Sequence, residues 1–330
     1  MVTTMAAALS DSTFHVVQRR LAALLPDGAS GGVERPLEHL ALGSAEPPRL
    51  ISATVLEGRA LLAHPVEGVP VARFAAFLDG TQTSRVVAHI DGVPIVHGTT
   101  AAVVRERLER RLRTWRAPRI ERRVYAPLAL LPAAQRRALQ ESGLPLVDTA
   151  ESRPAESLHP FALQDAAIHA VQDDREALER ELAEAWCADA SGEVLVDGSL
   201  TGSEVVATSE RAIGMVKSHR TLYAEGAALR AVLQLPQGHR SSVFRVTSPK
   251  RTPVASWYLR VRDPAGRDPL WGLVRIEVAD NAGGRALPRR ANDVSLWVLA
   301  EALPLATPDS RWDKMVYGIR DCEEFLRAIQ

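Results

Sequence analysis

A mixed α/β domain is what this sequence predicts, on three observations. Dense apolar runs of strand length, bounded by Asp-Gly or Pro/Gly turns, fall at 71–97, 193–200, 212–218 and 242–278. Long amphipathic stretches with helical spacing lie between and after them, over about 160–187, 290–302 and 313–329. The 330 residues are 46% apolar and 24% charged, ample for a core, which excludes disordered and fibrous classes. No long linker divides the chain, so one elaborated domain over 70–330 is expected. A helix-and-loop region over 1–69 precedes it, and a helical insertion is expected at about 100–158.

Residues 5–25 read as a helix, with Ser10 or Asp11 as cap and Phe14, Val17, Leu21 and Leu24 at helical spacing. PDGASGG (26–32) breaks it, and an irregular apolar segment covers 50–64. A three-strand meander follows: VARFAAFLDGT, stopped by Asp79-Gly80, then SRVVAHI and VPIVH around the hairpin pair Asp91-Gly92. Helices are expected at 100–115, at 132–142 with Gly143 just past its end, and over 160–187. Ala167, Val171, Leu178, Leu182 and Trp186 mark the buried stripe of the last one. The short strand EVLVDGSL (193–200) comes next, then AIGMVKS (212–218), a helix near 221–233, strands in SVFRV, SWYLRVR and LWGLVRIEV, and two closing helices.

Composition removes several function classes. No apolar stretch approaches the roughly 20 residues that span a bilayer, and MVTTMAAALSDSTFHVVQ lacks a cationic signal-peptide start. A soluble, cytoplasmic protein is expected. Cys187 and Cys322 read as buried apolar residues, and no CxxC exists to hold zinc. GxxxxGK[ST], GxSxG and HExxH are absent, so the chain is not a P-loop motor. Forty basic residues balance forty acidic ones. The basic residues are uneven: 105–123 holds nine arginines against three glutamates, and 239–251 is basic without an acid. Each block reads either as a solvated face with i,i+4 pairs or as a surface for phosphates.

The chemistry-bearing feature is a pair of apolar strands that each run into Asp, Gly and a hydroxyl residue: Phe77-Leu78-Asp79-Gly80-Thr81 and Leu195-Val196-Asp197-Gly198-Ser199. Two such acids on neighbouring strands repel unless a cation sits between them. Mg²⁺ and Mn²⁺ take carboxylate oxygens, water and phosphate. Two such ions about 4 Å apart can drive phosphodiester hydrolysis. The long helix offers Glu179, with Glu176 as a substitute, and Asn292-Asp293 opens an apolar helix where either residue could simply be an N-cap.

Three meandering strands with an acid in the first, a helix with a glutamate, a strand ending in Asp and a later helix with Asp resemble the ribonuclease H-like fold. More narrowly, the DG[ST] strand, VLVDGSL, GMVKS and the WYLRV…GLVRIEV…ANDVS series resemble the NurA nuclease family over roughly residues 70–330. That resemblance implies a Mn²⁺- or Mg²⁺-dependent DNA nuclease that forms homodimers and works with a HerA-type hexameric ATPase in end processing. It implies catalytic roles for Asp79, Glu179, Asp197 and Lys217, and metal ligation by Asp79, Glu179, Asp197 and Asp293. Lys217, His219, Arg220 and Arg240 are the expected nucleic-acid contacts. The family tends to carry a histidine near the C-terminal helix where ANDVS stands here, so Asn292 and Asp293 both remain candidates. The alternatives are a catalytically silent adaptor of the same fold, which binds nucleic acid and recruits the ATPase, and an RNA-directed enzyme.

Overall fold

In the computed structural model, residues 14–21, 23–24, 29–31, 47–152, 155, 158–281, 286–302 and 312–330 are described. The sheet is built around β1 (Ala76–Ile90), a single strand of 15 residues. The expected break after Asp79-Gly80 does not occur. Gly80 lacks the left-handed backbone of a turn, and Asp79↔Val103 and Thr81↔Ala101 continue one antiparallel ladder, bulged only at Val86/Ala88. Asp91-Gly92 does turn, with φ of 49° and 81°.

The return strand β2 (Val93–Leu108) overturns the helix expected at 100–115. Residues 93–104 are buried throughout, as a central strand with both faces covered requires. Beyond them the charges alternate with a period of two: Arg105 reaches Asp321 at 2.5 Å and Arg107 reaches Glu301 at 2.7 Å. The Glu–Arg spacing that reads as helical i,i+4 pairs is therefore a strand alternation. A turn at Glu109-Arg110 leads into a short return strand, Arg111–Thr114, and then β3 (Arg119–Ala126) and β4 (Leu146–Asp148). So 100–158 is not a helical insertion. Its α-helices are Ala133–Glu141, followed by Gly143 at φ 70° as expected, and Thr149–Ser152.

Helix α1 (Pro160–Asp189) crosses the sheet with all five residues of its expected stripe buried. It leads to β5 (Val194–Asp197), parallel to β1 with Val196 opposite Leu78, and then to β6 (Ala212–Val216), parallel to β5. β7 (Phe244–Val246), β8 (Val254–Arg260) and β9 (Leu273–Ala279) add antiparallel. The order across the sheet is β4-β3-β2-β1-β5-β6-β9-β8-β7. The architecture is α/β: a large mixed sheet flanked by helices.

Alternation along the strands divides the core in two. Phe77 and Leu195 pack with α2 (Ala286–Glu301) and α3 (Tyr317–Ile329), whereas Leu78 and Val196 pack with Leu178, Leu182 and Trp186 of α1. The region before residue 70 is not separate from this sheet. Ala29–Gly31, inside the expected breaker loop, pairs with β1, and Thr54–Val55 pairs with β7. Ala63–Pro65 pairs with His239–Ser241. Residues 14–21 are helical and bury Phe14, Val17 and Leu21, while the expected helix before residue 14 lies outside the described residues. Cys322 is buried and Cys187 half-buried, both as free thiols. Among the described residues no helix is long and apolar enough to cross a membrane.

Candidate carboxylate site

Asp79 and Asp197 follow the paired residues Leu78 and Val196, so parallel register brings the two acids level on adjacent strands. By alternation they share the face of Phe77 and Leu195. Asp79 is only 4% exposed; its Oδ1 accepts from the Gly80 amide at 2.8 Å, while its Oδ2 is buried with no hydrogen-bond partner. Lys217, just past β6, donates from Nζ to Asp197 Oδ2 at 2.8 Å.

Glu179 arrives from the α1 side. It is buried over Gly80, where an added Cβ would strike the Glu179 carboxylate and lie 2.9 Å from the Ala101 carbonyl oxygen. Glycine is required by that approach rather than by a turn. Arg175, one helical turn earlier, forms an ion pair with Glu179 and donates to Gln82 Oε1 at 3.0 Å. Glu176 faces out, accepting from Gln172 at 2.8 Å, so Glu179 is the helix acid of this site.

The electrostatics follow from packing acids in a dry place. Burial raises the Asp79 pKa well above the carboxylate range; Asp197, Glu179 and Glu323 reinforce the rise and Lys217 opposes it. Burial likewise pushes Glu179 up to about 7, against the pull of Arg175. For Lys217 burial favours the neutral amine, but Asp197 and Asp79 outweigh it and hold the pKa above the ordinary lysine value.

Glu323 is the member that sequence reading missed. It is buried on α3, 3.3 Å from Arg320 and 3.5 Å from Arg327. Helix α3 comes this close because Gly318 lies against the Phe77 ring and Cys322 Sγ donates to the Phe77 carbonyl at 3.4 Å. The signal was the small, apolar Gly318–Cys322–Leu326 stripe with an acid beside it.

Four other expected contacts are not among the described hydrogen-bond or ion-pair partners of Asp79, Glu179 and Asp197. Asp293 lies on α2, partly exposed, and is not among the leading charges that act on Asp79. Its neighbour Asn292 is committed to the backbone of Glu67, with both hydrogen bonds at 2.9 Å. His219 is partly buried and hydrogen-bonded to the Leu273 carbonyl at 2.7 Å; burial lowers its pKa to about 4, which keeps the ring neutral. Arg240 is buried in a bidentate pair with Glu57 at 2.6 and 2.9 Å, a structural use of a guanidinium. Arg220 is exposed, and its carbonyl accepts from the Arg49 amide at 2.7 Å.

The loop after Asp197 is held from below. Ser199 Oγ and the Leu200 amide donate to Glu277 Oε2 at 2.9 and 2.8 Å, and Glu277, fully buried, accepts from Arg275 at 2.5 Å. Gly214 permits this, since a Cβ there would lie 2.8 Å from the Gly198 carbonyl oxygen.

Among the described residues no three His, Cys, Asp or Glu side chains form a ready metal-binding group; Lys217 and Arg175 engage two of the carboxylates. The donor chemistry nonetheless fits a hard divalent cation. Asp79, Asp197 and Glu179 offer carboxylate oxygens, and Asp79 Oδ2 is an orphaned buried acceptor. No family model matches this chain, and no curated protein matches it.

Proposed function

We propose that the chain is a divalent-metal-dependent nuclease that hydrolyses phosphodiester bonds in DNA, using Mn²⁺ or Mg²⁺. The observation that carries this reading is that Asp79 and Asp197 stand level on adjacent strands, with Glu179 near enough to raise the Asp79 pKa and one buried carboxylate oxygen left unpartnered. The three antiparallel strands, crossing helix and two parallel strands support an RNase H-like assignment. The NurA-type resemblance adds a homodimer, a HerA-type ATPase as partner and a cytoplasmic location.

Asp79, Asp197 and Glu179 would hold the cation. When bound, it supplies Lewis acidity at the phosphate and a water of lowered pKa. Lys217, already seated on Asp197, offsets negative charge that develops on the phosphate oxygens. Arg175 keeps the Glu179 carboxylate oriented over Gly80.

Digestion of labelled linear DNA and RNA with Mn²⁺ or Mg²⁺ tests the reading. Asp79→Ala and Asp197→Ala should each abolish cleavage while circular dichroism stays native; digestion by either at the parental rate overturns the site. A second reading, the silent adaptor, draws support from the Lys217–Asp197 and Arg175–Glu179 pairs, which engage carboxylates a cation would need. It predicts nucleic-acid binding without cleavage in the same assay.

A further inference from the structure

An acidic centre that acts on a polyanion needs cations that are not already neutralised. Lys217 and Arg175 are engaged with Asp197 and Glu179. Beside those same two acids, on the α1 side of the sheet, opens a cavity of about 240 Å³. Its rim includes Arg180 and Arg251, both exposed, and among the described residues neither has a carboxylate partner. Arg180 follows Glu179 on α1. Arg251 ends the basic 239–251 block, whose expected contact Arg240 is buried elsewhere.

Arg251 is also positioned. Its Nη1 donates to Thr201 Oγ1 at 3.3 Å, and the neighbouring Thr252 amide donates to the Thr201 carbonyl at 3.3 Å. Thr201 Oγ1 lies 2.9 Å from Ser199 Oγ, which donates to the buried Glu277. The guanidinium is thereby tied, through one chain of hydrogen bonds, to the loop that follows Asp197.

We infer that Arg180 and Arg251 form a clamp for a backbone phosphate of a single nucleic-acid strand, next to the phosphate that is cleaved. This rests on the nuclease reading of the same site. Guanidinium forks match phosphate oxygens in pairs, which a point charge does not. The cavity, about 240 Å³, falls below the roughly 300 Å³ at which ligand pockets begin, a size that suits part of one strand.

The test is the double variant Arg180→Gln/Arg251→Gln, measured in two ways. Binding of a labelled single-stranded DNA is titrated in EDTA across a range of KCl, and cleavage is measured with Mn²⁺. The clamp predicts affinity weaker by about tenfold or more and a salt slope shallower by about 0.7 for the phosphate released. It also predicts a raised KM with kcat nearly unchanged. An RNA strand of the same sequence should show the same loss, because the contact is to phosphate; a loss confined to one sugar type overturns the assignment. Arg180→Lys/Arg251→Lys should restore the salt slope but not the full affinity. Parental affinity and slope in the Gln variant overturn the clamp, and if the parent still cleaves, the nuclease reading survives that failure. A parent that never cleaves ends the nuclease reading, while the EDTA titration still decides whether these arginines hold a phosphate.

Discussion

Glu179 offers a direct measurement of how strongly this site resists negative charge. In the folded chain its pKa is about 7, against an ordinary 4.5, with burial as the leading cause. Between those two values the folded state holds a proton that the unfolded state releases. Stability must therefore fall as pH rises through that window, and the component is complete by about pH 8. At 1.36 kcal/mol for each pH unit, the interval amounts to about 3 kcal/mol. Glu179→Gln removes this titration. The Arg175 ion pair forms only as Glu179 ionises, so its pull is already contained in the pKa of about 7 and adds no separate pH dependence. The expected result is that the unfolding free energy of the variant, relative to the parent, improves by about 3 kcal/mol between pH 4.5 and pH 8. Urea unfolding in EDTA, fitted with a common m-value, reads the difference. Parallel pH profiles for parent and variant would refute the claim that this carboxylate is buried against its will. Mn²⁺ added at pH 8 should stabilise the parent more than the variant, since only the parent carries the third carboxylate.

Gly80→Ala should destabilise by about 1–3 kcal/mol through the clash with the Ala101 carbonyl and the Glu179 carboxylate, and cleavage should fall with it; parental stability in urea would show that the helix is not seated this closely. Lys217→Met should cost about 1–3 kcal/mol near neutral pH, because half-buried Asp197 loses its charged hydrogen-bond partner, a loss that urea unfolding measures. Trp186→Ala should cost about 3–5 kcal/mol, since the ring is fully buried under α1 and its Nε1 donates to the Gly192 carbonyl at 3.2 Å.

What the sequence made legible was the chemistry that repeats locally. The strand Val194–Asp197, the helix Pro160–Asp189 and the closing helices follow from apolar spacing alone, and the Asp-Gly-hydroxyl repeat singles out both strand acids. Two kinds of information were hidden. Residues 100–108 carry Arg and Glu at spacings that suit either a helix or a strand. Only tertiary partners on α2 and α3, Glu301 and Asp321, reveal the period of two. Distance along the chain hid the rest: Asp293 looked suitable because it opens an apolar helix, yet α2 packs where Trp257 meets Ser295, at 3.0 Å, rather than beside Asp79. The basic residues divide in the same way. Arg240 and Arg260 are used to fill backbone and carboxylate acceptors inside the protein, a role that composition does not separate from surface charge.

The docking of α3 on β1 has a consequence for how the protein is made. Cys322 and Phe77, joined by a hydrogen bond, are 245 positions apart. A ribosome must therefore deliver α3, which follows Phe77 by some 245 positions, before the central strand receives its cover. Until then Phe77 and the acid two residues beyond it face solvent, where carboxylates remain ionised and mutually screened. The unusual protonation behaviour of the centre is thus acquired only once α3 has been made, and a nascent chain without α3 would carry the acids without the burial that shifts their pKa values.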